Sequence, residues 1–385
     1  MKKATSTSSI QRNLPAKNRF VVIMAGGKGE RFWPVSREKT PKQLITLLGN
    51  RSFLQQAVAR VSPVIPTENI FVITNQVQAA EVRRQLPQLP KENVVAEPCG
   101  RDTCPAVALG ASLVGARTPD GVMAVLPADH VIPNEKAFQQ VLLDCLNLAG
   151  GARVIVTIGI KPTEPATGYG YIKSGALLPP IPGVKVGSTA FHTAERFVEK
   201  PPFETAVKYL ESGEYRWNAG MFIWSHATVM EGLRQYRPEM EAASRRWMLA
   251  APAPAKLTRM LKAEYPSITK ISIDYALLEH ATNVVLADGA FAWDDLGAWS
   301  ALARHLPPDQ QGNCAVGDFI HVDAARNLVF DARTKNRTPI TAVGVCDLVL
   351  VHTDDAVLVA HKNESQKIKE LVKKLSSNPR LQSLV

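Results

Sequence analysis

The stretch from Phe20 to Gln43 concentrates groups suited to handling a polyanion. Ala25-Gly26-Gly27-Lys28-Gly29 lacks most of its Cβ atoms, so backbone N–H groups can turn inward and approach an anion closely. Lys28, Arg31, Arg37, Lys39 and Lys42 follow or punctuate these glycines, against only Glu30 and Glu38. A second chemical signal is Asp129, which ends the apolar run Gly121 to Leu126 through Pro127 and Ala128. A carboxylate at the tip of a buried strand is costly to desolvate unless paired or placed on a metal. Together these residues point to polyphosphate chemistry.

Two common phosphate motifs are excluded by spacing. A Walker loop needs Gly-Lys-Ser/Thr before a helix, and a dinucleotide fingerprint needs a third glycine where this chain has Phe32. Both also require a helix to open at once, whereas Pro34 and Pro41 favour an irregular excursion. The next helix is predicted to start at Ser52, with Gln55 completing a capping box. The basic segment is therefore read as a long loop, able to fold over a bound nucleotide.

The elements that must position these groups follow a regular order. Phe20 to Met24 is a β-branched-rich run that reads as a strand covered on both faces. Phe53 to Val61 has helical periodicity, Ile70 to Ile73 reads as a strand, and Asn93 to Ala96 leads into Glu97-Pro98-Cys99-Gly100-Arg101-Asp102-Thr103. An Ala-rich helix is predicted over Pro105 to Ala116 and a strand over Gly121 to Leu126. This alternation predicts an α/β, doubly wound, mostly parallel Rossmann-like sheet, with ligands beyond the carboxyl ends of its strands. Further strands are expected at Thr167 to Ile172, Arg196 to Pro201 and Trp217 to Trp224, with Glu214 to Arg216 as exposed loop and a helix-rich stretch from Ala227 to Leu261. From Gly312 onward short β-branched segments recur between polar turns, which predicts a small all-β module. Lys362 to Leu375 reads as a basic amphipathic helix for packing or oligomer contact.

With 385 residues and 45% hydrophobic content, the chain can bury one large core and one smaller one. The expected division is a disordered basic tail over 1–19, a catalytic domain over 20–310 and the β module over 311–385. The net charge of +10 is not matched by aromatic content or clustering of the kind that reads RNA, so anionic small substrates account for part of it. Five cysteines without metal-ligand spacing suggest reduced thiols. There is no signal-peptide apolar core and no transmembrane run, so a soluble cytoplasmic protein is expected, without nucleic-acid or membrane partners.

The arrangement Ala25 to Pro34 followed by Thr40-Pro41-Lys42-Gln43 resembles the signature of sugar-nucleotide pyrophosphorylases, most closely the mannose-1-phosphate guanylyltransferases. The resemblance implies that Ala25, Gly26, Gly27 and Gly29 hold the nucleotide phosphates, that Arg31 lies over the leaving pyrophosphate, and that Lys42 contacts phosphate. It implies base recognition by the Glu97 to Thr103 loop through Glu97, Arg101 and Asp102, although Asp102 replaces the commoner Asn and cannot donate as an amide can. An ion pair between Glu97 and Arg101 at a helix start is the alternative. Asp129 matches the family's metal-binding aspartate, with Asp295 of Trp293-Asp294-Asp295-Leu296-Gly297 as its partner and Asp294 as the rival. Two carboxylates plus phosphate oxygens and water suit Mg²⁺. Gly168, Glu199, Lys200 and Asn218 match the sugar-phosphate positions. Asp274 is either near the sugar or a helix cap.

The resemblance further implies a left-handed β-helix for the C-terminal module, a homodimer, and no room for the isomerase domain of longer relatives. The implied reaction transfers GMP from GTP to α-D-mannose 1-phosphate, giving GDP-mannose and pyrophosphate. Its nucleophile is already dianionic at neutral pH, so catalysis would consist of alignment and charge neutralisation by Arg31, Lys42, Lys200 and the metal. The same chemistry on another sugar 1-phosphate or nucleotide, and a silent nucleotide-sugar sensor, stay open as alternatives.

Overall fold

The computed structural model describes residues 13–385. The expectation of a disordered tail therefore falls largely on residues 1–12, outside the described part. Leu14 to Arg19 is tied down: the Leu14 N–H donates to Asn147 Oδ1 at 2.9 Å, and the Arg19 guanidinium donates to the Leu14 carbonyl. Contacts divide the chain into two compact units. Of the described residues, the first comprises 13–26, 57–128 and 132–294, and the second 27–56, 129–131 and 295–385.

The first unit is built on a nine-stranded sheet. Its strands are β1 (Arg19–Ala25), β2 (Ile70–Asn75), β3 (Val94–Glu97), β4 (Val122–Pro127), β5 (Ile155–Ile160), β6 (Tyr171–Leu177), β7 (Phe191–Val198), β8 (Tyr215–Ser225) and β9 (Val284–Asp288). The order is β3-β2-β1-β4-β8-β5-β9-β7-β6. The β3-β2-β1-β4 half is wholly parallel, as expected for strands joined by crossover helices. Beyond it β8 runs antiparallel to both β4 and β5, so the sheet as a whole is mixed. Phe20 to Ile23 are at most 1% exposed, which is why their apolar run needs no alternation. The helix Thr103–Arg117 is buried from Cys104 to Val114. Its Gly110 lets it close on β1, since a Cβ there would stand 3.0 Å from a Val22 methyl. Glu214 to Arg216 is not a free loop: Tyr215 opens β8, and Arg216 pairs with Asp288 at 2.8 Å.

The second unit holds the β module. β10 (Cys314–Val316), β12 (Leu328–Asp331) and β14 (Leu348–His352) stack in parallel, and β15 (Val357–His361) closes that sheet antiparallel to β14. β11 (Phe319–Val322) and β13 (Ile340–Val343) form a second parallel pair. This is a β-helix-like stack, and an asparagine ladder marks its corner. Asn327 Nδ2 donates to Asn313 Oδ1 at 3.0 Å, and Asn327 Oδ1 accepts the Leu348 N–H at 2.9 Å. Its rungs are separated by unequal stretches of chain, which hides any short repeat in the sequence. The apolar interior joins Leu328, Phe330, Val349 and Val351 to Trp299, Phe32, Trp33 and Phe53. The terminal segment is a 3-10 turn over Lys362–Lys367 and then an α-helix, Ile368–Ser376.

Candidate active site

In the second unit the glycine loop, Lys42, Asp129, Asp295 and the terminal helix surround a cavity of about 280 Å³. The turn that makes it is specified locally. Gly29 sits at φ +62°, and a Cβ there would stand 2.5 Å from the Lys42 backbone nitrogen, so only glycine fits. The loop is braced from the basic segment: Gln43 Nε2 donates to the Gly27 carbonyl at 2.9 Å and Ser36 Oγ to the Gly29 carbonyl at 2.8 Å. The expected capping box forms, with the Ser52 N–H donating to Gln55 Oε1 and the Gln55 N–H to Ser52 Oγ.

Lys42 is 5% exposed, and its ammonium stands 5.7 and 5.5 Å from the Phe32 and Phe53 ring centroids. Its Nζ donates to Asp129 Oδ2 at 3.0 Å and to the Asp295 backbone carbonyl. One buried cation thus joins the two aspartates while lining the cavity. Burial pushes the Asp129 carboxyl up, but Lys42 and His130 outweigh it and hold Asp129 below its ordinary value, ionised at neutral pH. Arg31 also lines the cavity; its Nη1 donates to the Gly297 carbonyl at 3.4 Å, and its buried Nε has no hydrogen-bond partner among the described residues. Asp295 faces the cavity, whereas Asp294 is 5% exposed and does not line it. Leu296, fully buried at φ +47°, fixes the turn between Asp295 and Gly297, a strained backbone of the kind found at functional sites.

The first unit assembles two further groups. Gly26 ends at Glu97, whose Oε2 would lie 3.3 Å from a Cβ on that glycine. The Glu97 carboxyl does not pair with Arg101. It accepts a hydrogen bond from the Tyr265 hydroxyl, while Arg101 donates to the Pro266 carbonyl. Asp102, at φ +70°, caps the helix Thr103–Arg117 by accepting the Thr103 N–H at 2.8 Å. Ala25 is buried, and its carbonyl accepts the Thr74 hydroxyl at 3.0 Å.

Burial raises Glu97 to about 7, and the Tyr265 bond only partly opposes this. The folded protein then holds a proton that the unfolded chain releases near pH 4.5. Stability from this group is full below pH 4.5 and declines as pH rises to about 7, by on the order of 3 kcal/mol. Glu97→Gln removes that decline. Thermal melts of the two proteins between pH 4.5 and 8 are expected to diverge with rising pH, the variant becoming the more stable; parallel curves would contradict the assignment.

The third group gathers the sugar-phosphate candidates. A bulge in β8, marked by Gly220 at φ +63°, lets Asn218 Oδ1 accept the Gly220 N–H at 2.9 Å. Asn218 Nδ2 reaches Asp274 Oδ1 at 3.4 Å. Asp274 lies within a π-helical turn, Asp274–Leu278, and is no cap, since Ser272 Oγ accepts the Tyr275 N–H instead. Burial raises its carboxyl above the ordinary value, and the nearby Glu199 charge adds to this. Glu199 Oε2 would stand 2.9 Å from a Cβ on Gly170, and Lys200, at φ +43°, donates to Glu199. Gly168 is exposed and open, with no atom within 4 Å of a Cβ built on it. Tyr169 packs edge to face against Trp217 and Trp293, with ring centroids 5.0 and 5.2 Å apart.

Sequence reasoning missed Lys369, which lines the cavity from the terminal helix, and Tyr265, the partner of Glu97. The only available signal for Lys369 was its place beside Ile368 and Val372, a buried pair at i, i+4. Among the described residues no helix is long and apolar enough to cross a membrane.

Residues 20–311 match the family model described as Nucleotidyl transferase, and residues 317–375 the MannoseP isomerase/GMP-like beta-helix domain. The chain is 37% identical over 365 residues to the mannose-1-phosphate guanylyltransferase of Escherichia coli K12, covering 94% of this chain and 74% of that protein. It is 39% identical over 358 residues to the xanthan biosynthesis protein XanB of Xanthomonas campestris pv. campestris, covering 92% and 73%. A solved Thermus thermophilus structure, described as a mannose-1-phosphate geranyltransferase, superposes with a TM-score of 0.80 at 33% identity, covering 93% of this chain and 99% of that one. The fold, the two family models and these likenesses together make the chain a member of the nucleotidyl transferase family, within its mannose-1-phosphate guanylyltransferase branch.

Proposed function

We propose that this enzyme transfers GMP from GTP to α-D-mannose 1-phosphate, giving GDP-mannose and pyrophosphate. The observation that carries the reading is the meeting of Asp129 and Asp295 on the Lys42 ammonium inside a cationic cavity, in a chain this similar to mannose-1-phosphate guanylyltransferases. A phosphate oxygen of the sugar phosphate attacks the α-phosphorus in line. The new P–O bond forms as the α–β bridge breaks, and pyrophosphate departs with the electron pair. No protein nucleophile is needed, because the attacking phosphate is itself an anion at neutral pH.

Each group of residues has one task in this scheme. Gly26, Gly27 and Gly29 bring backbone close to the triphosphate, and Arg31 faces the departing pyrophosphate. Lys42 holds Asp129 and Asp295 in register. Glu97, Arg101 and Asp102 frame the base, and Gly168, Glu199, Lys200, Asn218 and Asp274 take the hexose and its phosphate. Among the described residues no cluster of three or more acidic, His or Cys side chains could cage a metal alone. A pair of carboxylates that leaves most positions to phosphate oxygens and water fits Mg²⁺, so Asp129 and Asp295 would hold it. The ion would supply charge neutralisation at the α-phosphate. A cytoplasmic location, consistent with five unpaired cysteines, and a homodimeric assembly belong to the same reading.

The test is pyrophosphate release from a panel of nucleoside triphosphates against several sugar 1-phosphates. GTP with mannose 1-phosphate is expected to give the highest kcat/KM. Asn218→Ala is expected to raise KM for the sugar phosphate about tenfold while leaving KM for GTP within twofold. Higher turnover with another pair would replace the substrate assignment, and absence of turnover with every pair would overturn the reaction.

A further inference from the structure

We propose that Lys369, on the terminal helix, is a phosphate-binding residue of the catalytic centre, gripping the terminal phosphates of the triphosphate and the pyrophosphate formed from them. The inference rests on the reading above and extends it to the C-terminal module, which that reading leaves without a chemical task. Lys369 lines the same cavity as Lys28, Arg31 and Lys42. Three carboxylates, Glu30, Asp129 and Asp295, line it too, so without Lys369 these cationic and acidic side chains would balance. Lys369 thereby tips these side chains to a net positive charge, to which a bound divalent ion would add.

The direction of Lys369 follows from how its helix is seated. Ile368 and Val372, 3% and 4% exposed, pack into the same apolar cluster as Phe32 and Trp33. That pair fixes the rotation of Ile368–Ser376 about its axis, and Lys369, one position round from Ile368, is turned toward the cavity beside Arg31. The end of the chain is fastened as well: the Trp33 indole N–H donates to the Leu384 carbonyl at 2.7 Å. A lysine on a helix held at both ends loses less freedom on gripping a phosphate than one on a loose tail.

Binding of inorganic pyrophosphate to the full-length protein, measured by calorimetry with Mg²⁺ present, reads this contact without turnover. Lys369→Ala is expected to weaken pyrophosphate binding and raise KM for GTP roughly tenfold, with KM for mannose 1-phosphate within twofold; Lys369→Arg should recover most of the loss. Lys367, on the same segment but paired with Glu364 and outside the cavity, is the charge control, and Lys367→Ala is expected to change neither value by more than twofold. Equal losses in the two alanine variants would overturn the contact in favour of a diffuse field, and unchanged pyrophosphate affinity in Lys369→Ala would overturn it outright. If the unaltered protein neither bound pyrophosphate nor released it from any substrate pair, the reaction itself would fall, a result distinct from the loss of Lys369 alone.

Discussion

Asp295→Ala is expected to lower kcat for pyrophosphate release by about a thousandfold while leaving the melting temperature within a few degrees of the unaltered protein. The kinetic loss follows from removing one of the two carboxylates proposed to hold the divalent ion, where a single electrostatic contact to the transition state is worth roughly 3 to 4 kcal/mol. The stability expectation has a separate cause. Lys42 donates to the backbone carbonyl of Asp295, so the alanine variant keeps that bond as well as the Asp129 pair. The residual activity should need more Mg²⁺ for half-saturation. Asp294→Ala should behave differently, because Asp294 is buried and away from the cavity: its cost should appear in the melt. Full turnover in Asp295→Ala at an unchanged Mg²⁺ requirement would remove Asp295 from the metal site.

Gly29→Ala is expected to destabilise the protein by about 2 kcal/mol or more and to reduce kcat/KM at least a hundredfold. A left-handed backbone costs an L-residue roughly 1 to 2 kcal/mol. Here the new methyl would also stand 2.5 Å from the Lys42 nitrogen and 2.8 Å from its Cβ, so the backbone carrying the buried ammonium must move. Gly27→Ala separates fold from contact. Nothing lies within 4 Å of a Cβ at Gly27, so its melting temperature should hold, and any rise in KM for GTP measures how closely the nucleotide approaches that glycine. A Gly29→Ala protein with normal melting and kinetics would show that the turn can relax away from Lys42.

Much of this arrangement was readable from residue order because it is local. The apolar run of β1, the Ser52 and Gln55 caps, the helix Phe53–Val61 and the strands Phe319–Val322 and Ile340–Val343 are each set by propensity and periodicity within a few residues. The carboxylate at the end of β4 could be singled out because its position is expensive. Other features depend on partners far away in sequence. Glu97 meets Tyr265 rather than its near neighbour Arg101, and no short-range pattern announces that pairing. Lys42 carried the right charge in the right motif, yet its engagement by Asp129 and the Asp295 main chain is a tertiary fact. Lys369 read as one more charge on a basic amphipathic helix, since where it points depends on which face Ile368 and Val372 bury. The strand over Trp217 to Trp224 was legible, but the doubly wound pattern gave no warning that this β8 would enter antiparallel and mix the sheet.

The two braced carbonyls of the glycine loop bear on how it would attract the phosphates proposed to bind there. In a trans peptide the N–H points opposite to the C=O. Holding the Gly27 and Gly29 oxygens toward Gln43 and Ser36 therefore turns the Lys28 and Glu30 amide protons to the other side before any ligand arrives. Fixed dipoles of this sort neither titrate nor collect counterions as lysines do. That share of the grip should persist in concentrated salt after the contribution of the charged side chains has faded.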